Sequence, residues 1–327
     1  MSGKWMRTLA VATVLLLAAA APTLAFTPAR VTCIAPANPG GGWDFSCRSG
    51  ARALFDLGFT SKPIKVVNMP GGGGGGGVAF AHVVTERKGD DNILVAASRS
   101  TTTRLAQGQY TKFSMKDVRW LAANGADYGV ISVKADAPWK NLKELMAAWK
   151  KDPGKIAVGG GSAVGGQDHM KVMLLAKAAG IEPKKIKYVN FNGGGEAMVS
   201  LLGGFVQVFP GDISEVMGQL EAGKIRVLAV LGEHRLPGNL ANIPTAVEQG
   251  YNATWVVWRG FYMPPGTSDD AYNYWLNALT KMEKSDEWAK MRKQNGLAPF
   301  YRGGKDFEKF VKDQIHEIQG LTKELGL

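Results

Sequence analysis

Four glycine clusters carry most of the chemical promise of this sequence: residues 40–42, 71–77, 159–166 and 193–195. Each follows a short apolar run and precedes a helical pattern, the place where open α/β sheets bind ligands. Glycine there lets backbone N–H groups approach an anion closely, and a helix N-terminus adds positive partial charge. The chemistry this predicts is capture of a carboxylate or phosphate. Polar residues at the same loop ends are the candidates for specificity. Asn38, Gly41, Gly42, Trp43 and Asp44 belong to the first loop, with Asp44 open to a helix-cap role as well. Ser98, Ser100, Thr101 and Thr102 end a third strand and supply hydroxyl donors that bring no charge. Gly161, Ser162, Gly166 and Gln167, then Asn192, Gly193 and Asp212, are the counterparts in the second half. Asp168 reads as a helix cap rather than a ligand group. His169 reads as a structural first-turn residue, with a ligand or loop-bracing role as the alternative.

Sharper catalytic motifs are absent. No glycine run continues into GK[ST], as a phosphate-cradling P-loop requires, and GxGxxG is matched only trivially inside 71–77. Val164 stands where a GxSxG elbow needs glycine after Ser162. The four histidines are scattered and form neither an HExxH nor a CxxC-type set, so no metal site is expected. The sequence implies no catalytic residue and no cofactor.

The elements that must position these loops alternate in βα steps, the pattern of a parallel sheet. Strands are predicted at 30–35, 64–68 and 93–97, with helices at 45–57 and 78–87. A second series starts near 128: strands at 128–134, 155–158, 186–191, 205–209 and 225–231, and helices at 142–150, 168–179, 196–202 and 213–222. A short helix near Ala246, a strand at 255–263 and a helical remainder complete it. The expected fold is α/β, with two lobes, each a mainly parallel sheet flanked by helices. Lobe 1 takes residues 26–126 plus 256–327 and lobe 2 takes 127–255, joined by crossings near 125–128 and 255–259 that make a hinge.

Lys4 and Arg7, an apolar run from Leu9 to Ala21 and the stretch ending at Ala25 have the layout of a cleaved secretory signal, too short to span a bilayer. Export permits a disulfide between Cys33 and Cys47, the only two cysteines, closing a loop worth roughly 3 kcal/mol. The formal charge of +11 asks for anionic partners, and Arg48, Arg52, Arg99 and Arg104 lie near the first-lobe loops, where they attract an anion over distance. Because a Cβ at Gly42 obstructs backbone approach, Gly42→Val is expected to abolish binding and leave the fold largely intact.

The segments IAPANPGGGWDFSCR, GGGSAVGGQDHM and FNGGGEAMVSLLGG, together with GDISEVMGQLEAGKIRVLAVLGEHR, NIPTAVEQGY and WRGFYMPPGTSDD, resemble the substrate-binding proteins of tripartite tricarboxylate transporters, the TctC and Bug family. The resemblance covers essentially the whole chain after residue 25. It implies a type II periplasmic-binding, Venus-flytrap receptor that hands a small carboxylate, a tricarboxylate such as citrate or a dicarboxylate, to a two-subunit membrane permease. The ligand carboxylate is then gripped by main-chain groups and ordered waters at 37–44 and 160–167, with Asn192 and Gly193 at the next loop. Asn192 stands where many relatives carry lysine, which leaves open what balances a second or third carboxylate. A periplasmic monomer with no nucleic-acid partner is expected. The competing functions are a sensory receptor presenting the same ligand to a membrane kinase and a secreted α/β hydrolase.

Overall fold

The computed structural model describes residues 26–72, 75–324 and 326; the expected signal segment lies outside them. The larger lobe is built on one six-stranded sheet. β1 (Thr32–Ala35) runs into α1 (Gly42–Asp56), β2 (Lys65–Asn68) into α2 (Gly77–Glu86) and β3 (Ile93–Ser98) into α3 (Arg99–Ala106). Ile34, Leu94 and Val95 are buried, as the apolar runs require for strands covered on both faces. β1 pairs in parallel with β2 and β3.

The chain then leaves through β4 (Arg119–Tyr128) and returns through β9 (Val256–Met263). These two strands lie side by side and antiparallel, with Tyr128 opposite Val256. β10 (Ala298–Gly303) closes the sheet against β4, giving the order β10-β4-β9-β3-β1-β2. The sheet is therefore parallel across its β2-β1-β3 half and antiparallel across β9, β4 and β10. Return strands that cross between lobes must reverse direction, and periodicity alone does not register this. On one face α1, α8 (Asp269–Glu283) and α9 (Asp286–Gln294) bury Leu54, Trp275, Leu279 and Trp288. On the other, α2 and α10 (Gly304–Glu324) bury Phe80, Val83, Phe307 and Val311.

Between β4 and β9 lies the smaller lobe. β5 (Val130–Lys134) pairs antiparallel with β8 (Ile225–Val230), and β6 (Val158–Gly160) pairs in parallel with β7 (Tyr188–Asn190). Single bridges, Ser132 to Phe209 and Val158 to Val208, link the two pairs. Around them pack α4 (Leu142–Lys151), α5 (Gln167–Ala178), α6 (Gly194–Leu202) and α7 (Ile213–Glu221). The last turn of α10 reaches this lobe: Leu321 packs on its core and Glu324 pairs with Lys177.

Several expectations change. Residues 205–209 form those bridges rather than a strand of their own. Around Ala246 the chain makes turns, not a helix, pinned by Thr245 Oγ1 accepting the Glu248 N–H at 3.0 Å. The stretch SRSTTT is the start of α3 rather than a loop. β10 interrupts the tail expected to be helical.

Cys33 and Cys47 are joined, with Cα atoms 5.6 Å apart, and tie β1 to α1 on either side of the first glycine loop. Cys33→Ser/Cys47→Ser is expected to lose about 3 kcal/mol of stability through restored chain entropy in the unfolded state. Urea unfolding of the wild type with and without reductant, beside the double variant, checks this: equal midpoints in all three would mean the bridge contributes nothing.

Candidate functional site

Where the lobes face each other, the glycine loops meet. The Asn38 N–H donates to the Asn192 carbonyl at 3.1 Å, and Asn38 Nδ2 donates to Glu196 Oε2 at 3.1 Å. A Cβ on Gly195 would lie 2.2 Å from the Pro39 carbonyl oxygen, and one on Gly41 would lie 3.4 Å from the Gly194 nitrogen. The space enclosed at this meeting is about 30 Å³, room for one or two waters.

Of the residues singled out in the sequence, Gly42, Trp43, Ser98, Gly161, Ser162, Gln167 and Gly193 line that space. Gly41 is the N-cap of α1 and Gly166 that of α5. Asn38 and Asn192 tie the lobes together at the rim rather than lining the cavity. Asp44 turns away from it. Its carboxylate accepts the Gly40 N–H at 2.9 Å, Arg48 Nε at 2.9 Å and Asn68 Nδ2 at 2.8 Å. Burial would raise its pKa, but these donors outweigh burial and hold it below 3.8. Asp44 therefore braces the loop.

Thr101 and Thr102 are corrected as well. Thr101 Oγ1 accepts the Ser98 N–H at 3.2 Å in a capping box that starts α3. Thr102 Oγ1 lies 2.9 Å from the Arg99 carbonyl and 2.6 Å from Gln314 Oε1. Both hydroxyls are used inside the larger lobe. Asp168 lines the cavity rather than capping a helix: it accepts the Gly161 N–H at 2.8 Å and Lys171 Nζ at 2.9 Å. His169 braces its loop, with Nδ1 accepting the Gly165 N–H at 3.0 Å.

Ser100, from the third-strand hydroxyls, and Gly194, from the fourth glycine cluster, line the cavity as well, whereas the sequence reading missed Glu215 and Arg259, which also line it. Glu215 arises from a detectable signal, the D-x-x-E capping box that Asp212 makes at the start of α7. Its Oε2 accepts the Asp212 N–H at 3.0 Å, and its Oε1 accepts the Gly42 N–H at 2.8 Å. The smaller lobe thus places a carboxyl group on the N-terminus of α1, on one of the N–H groups that a helix leaves unpaired there.

Asp212 is wholly buried beneath the cavity and joins two cations. Its Oδ2 accepts Arg259 Nη2 at 2.7 Å, and its Oδ1 accepts Lys171 Nζ at 2.5 Å. Arg259, on β9, also meets Asp127, on β4, at 2.7 Å. Lys171 further donates to the carbonyls of Pro210 and Gly211 at 3.0 Å each. Lys171 is fully engaged, and Arg259 binds its acids through Nε and Nη2. Four acids, Asp127, Asp168, Asp212 and Glu215, thus face two bases, and the excess negative charge disfavours complete ionisation. Burial raises the Glu215 pKa to about 8, helped by Asp212 and Asp168. Burial also raises Asp127 and Asp168, against the pull of Arg259 and Lys171 respectively.

Three polar groups around the cleft have no partner among the described residues: Trp43 Nε1, Gln167 Oε1, and the Nε and Nη2 of Arg104. Buried polar atoms are usually paired, and of these groups Trp43 and Gln167 belong to residues that line the cavity. No described helix is long and apolar enough to cross a membrane.

Two lobes joined by adjacent crossing strands, with helix N-termini and glycine loops facing across a cleft, define a two-lobed α/β binding-protein fold. The chain belongs to the tripartite tricarboxylate transporter receptor family, TctC, whose model matches residues 59–327. It is 27% identical to the protein BugT of Bordetella pertussis over 311 residues, 94% of this chain and 93% of that protein. Among solved structures it is similar to MatC from Rhodopseudomonas palustris with bound malate, at 21% identity and a TM-score of 0.76, covering 89% of this chain and 97% of that one. It is similar to R. palustris Rpa4515 with adipate at 22% identity and a TM-score of 0.79, covering 91% and 97%.

The Gly42→Val expectation needs revision. A Cβ at Gly42 would lie 2.2 Å from Arg259 Nη1 and 2.6 Å from its Cζ. Shifting that guanidinium leaves buried acids unpaired, at a cost of about 3–5 kcal/mol. Gly42→Val should therefore lower the thermal midpoint sharply, whereas Gly41→Ala, whose Cβ meets nothing nearer than 3.4 Å, should stay close to wild type. Equal midpoints would remove Gly42 from the Arg259 contact.

A carboxyl with a raised folded-state pKa binds its proton more tightly in the folded than in the unfolded chain. Its contribution is therefore favourable at low pH and is lost as pH rises from 4.5 towards about 8. Glu215→Gln should flatten this part of the stability profile, read as urea midpoints at pH 5 and pH 8; identical slopes for the two proteins would contradict the assignment.

Proposed function

We propose that this chain is a periplasmic solute receptor that closes its two lobes on a small carboxylate and delivers it to the membrane subunits of a tripartite transporter. The observation that carries the reading is the Glu215 carboxyl on the Gly42 N–H, 2.8 Å across the cleft: the α1 N-terminus holds a carboxyl group supplied by the facing lobe. A ligand carboxylate would take the same donor once the lobes separate. Malate and adipate in the two neighbouring structures support small dicarboxylates as the first compounds to try. The lobes, 26–126 with 256–327 and 127–255, would turn about the paired strands β4 and β9.

Nucleophilic catalysis would need an activated side chain beside a base. Ser162 Oγ instead accepts the Asp168 N–H at 3.0 Å, and His169 Nδ1 is committed to Gly165. This arrangement favours holding a ligand over transforming it.

Calorimetric titration of residues 26–327 with mono-, di- and tricarboxylates, and with sugars, amino acids and nucleotides, tests the reading. Saturable binding of a carboxylate with a raised thermal midpoint is expected; binding of only a sugar or a nucleotide would overturn it.

A further inference from the structure

Resting on the receptor reading above, we propose that Arg104 is a second anion subsite of the cleft, receiving the far carboxylate of a dicarboxylate whose first carboxylate is held at the α1 N-terminus. Arg104 is the specificity-determining residue in this scheme: it makes the receptor select diacids over monoacids of similar length.

The side chain is 3% exposed and meets no carboxylate among the described residues. Nη1 alone is engaged, with Gln107 Oε1 at 2.9 Å and the Val164 carbonyl at 3.5 Å. Nε and Nη2 have no partner among the described residues. Those two nitrogens form one edge of the planar guanidinium, a fork that matches the two oxygens of a carboxylate. Other enclosed cations are treated differently: Lys171, Arg259 and Arg292 each meet an acid at 2.5–2.9 Å. An enclosed guanidinium with a vacant fork costs stability, and a fold retains such a cost where a ligand removes it.

Its position fits that use. Arg104 lies one helical turn beyond Ser100 on α3, on the same face, and Ser100 lines the cavity. Gly75 lies against it: a Cβ there would come 2.9 Å from Nε. The loop at 162–166 of the smaller lobe covers it, held by the Val164 contact and by Gln107 Nε2 donating to the Gly165 carbonyl at 2.6 Å. Separation of the lobes would break both ties and lift that loop away from the Arg104 head group. His169 sits alongside. Burial, then the charge of Arg104, push its pKa down to about 4, so it is neutral, and with Nδ1 accepting from Gly165 the ring proton is on Nε2, a further donor. The floor of the cleft supplies no alternative. Arg259 and Lys171 are paired with acids that outnumber them, so a second ligand carboxylate balanced there would add to an existing negative excess.

The test titrates wild type, Arg104→Met and Arg104→Lys with succinate, malate, glutarate and adipate, and with butyrate and hexanoate as monoacid controls. Arg104→Met should weaken the preferred diacid by about 10- to 100-fold and leave monoacid affinity unchanged. Its ligand-free thermal midpoint should match or exceed wild type, because an uncompensated charge is gone. Arg104→Lys keeps the charge without the fork and should fall between, and it carries the test if the methionine variant does not fold. Equal losses for diacids and monoacids, or a diacid affinity untouched in both variants, would overturn the proposal. Failure of the wild type to bind any carboxylate sinks the receptor reading itself, a result distinct from wild-type diacid binding that ignores Arg104.

Discussion

A guanidinium removed from water costs several kcal/mol unless its partners are well placed, and Arg259 survives its burial because Asp127 and Asp212 reach it from separate elements. Asp127 lies on the strand that leaves the larger lobe, Arg259 on the strand that returns, and Asp212 at the head of a smaller-lobe helix. One cation therefore fixes where both crossings and α7 must stand. The rest follows from it. Asp212, held by Arg259, also holds Lys171, and Lys171 holds Asp168, which fixes the Gly161 N–H. Through the Asp212 capping box the same anchor places Glu215 against α1. One ion-pair network thereby links the crossing strands to the Gly42 and Gly161 loops.

Much of this fold was readable because short β-branched runs alternate with helical patterns, and burial on both faces demands that composition. The strand that failed to show is β4. Its sequence, RWLAANGADY, has no β-branched residue and becomes a strand because β9 and β10 offer it partners on both sides, a tertiary cause that no local window contains. The site divides in the same way. Glycine loops announce main-chain recognition locally, and seven of the residues they flagged line the cavity. Arg259 is invisible to such reading, since its role depends on acids 132 and 47 positions away. Thr101 and Thr102 misled for the opposite reason. A hydroxyl-rich strand end looks like a donor set, but the same hydroxyls start a helix and close a core contact.

The positive charge of the chain also takes a more specific meaning. Arg48 and Arg52, on the exposed side of α1, are spent on Asp44 and Asp56, and Arg99 on Glu317 and the face of Trp255. Beneath the cavity the balance is acidic. A basic chain therefore carries a cleft between its lobes whose floor, by side chains alone, is acidic. On the receptor reading, neutral N–H dipoles at the α1 N-terminus would hold the first carboxylate there without a counter-charge beneath it.

That division of labour bears on how the cleft opens. With about 30 Å³ between the loops, a four-carbon acid would need the lobes to separate, and on the receptor reading it would then compete with the Glu215 carboxyl for the Gly42 N–H. Ligand affinity is then the difference between two occupancies of one donor, less the contacts between Asn38 and Asn192 that must be given up. Once displaced, Glu215 regains water and loses the burial that raised its pKa, so a proton leaves as a ligand charge arrives. Proton release and anion arrival both make the cleft more negative, so on the receptor reading the gain at the N–H donors must outweigh the acids beneath them.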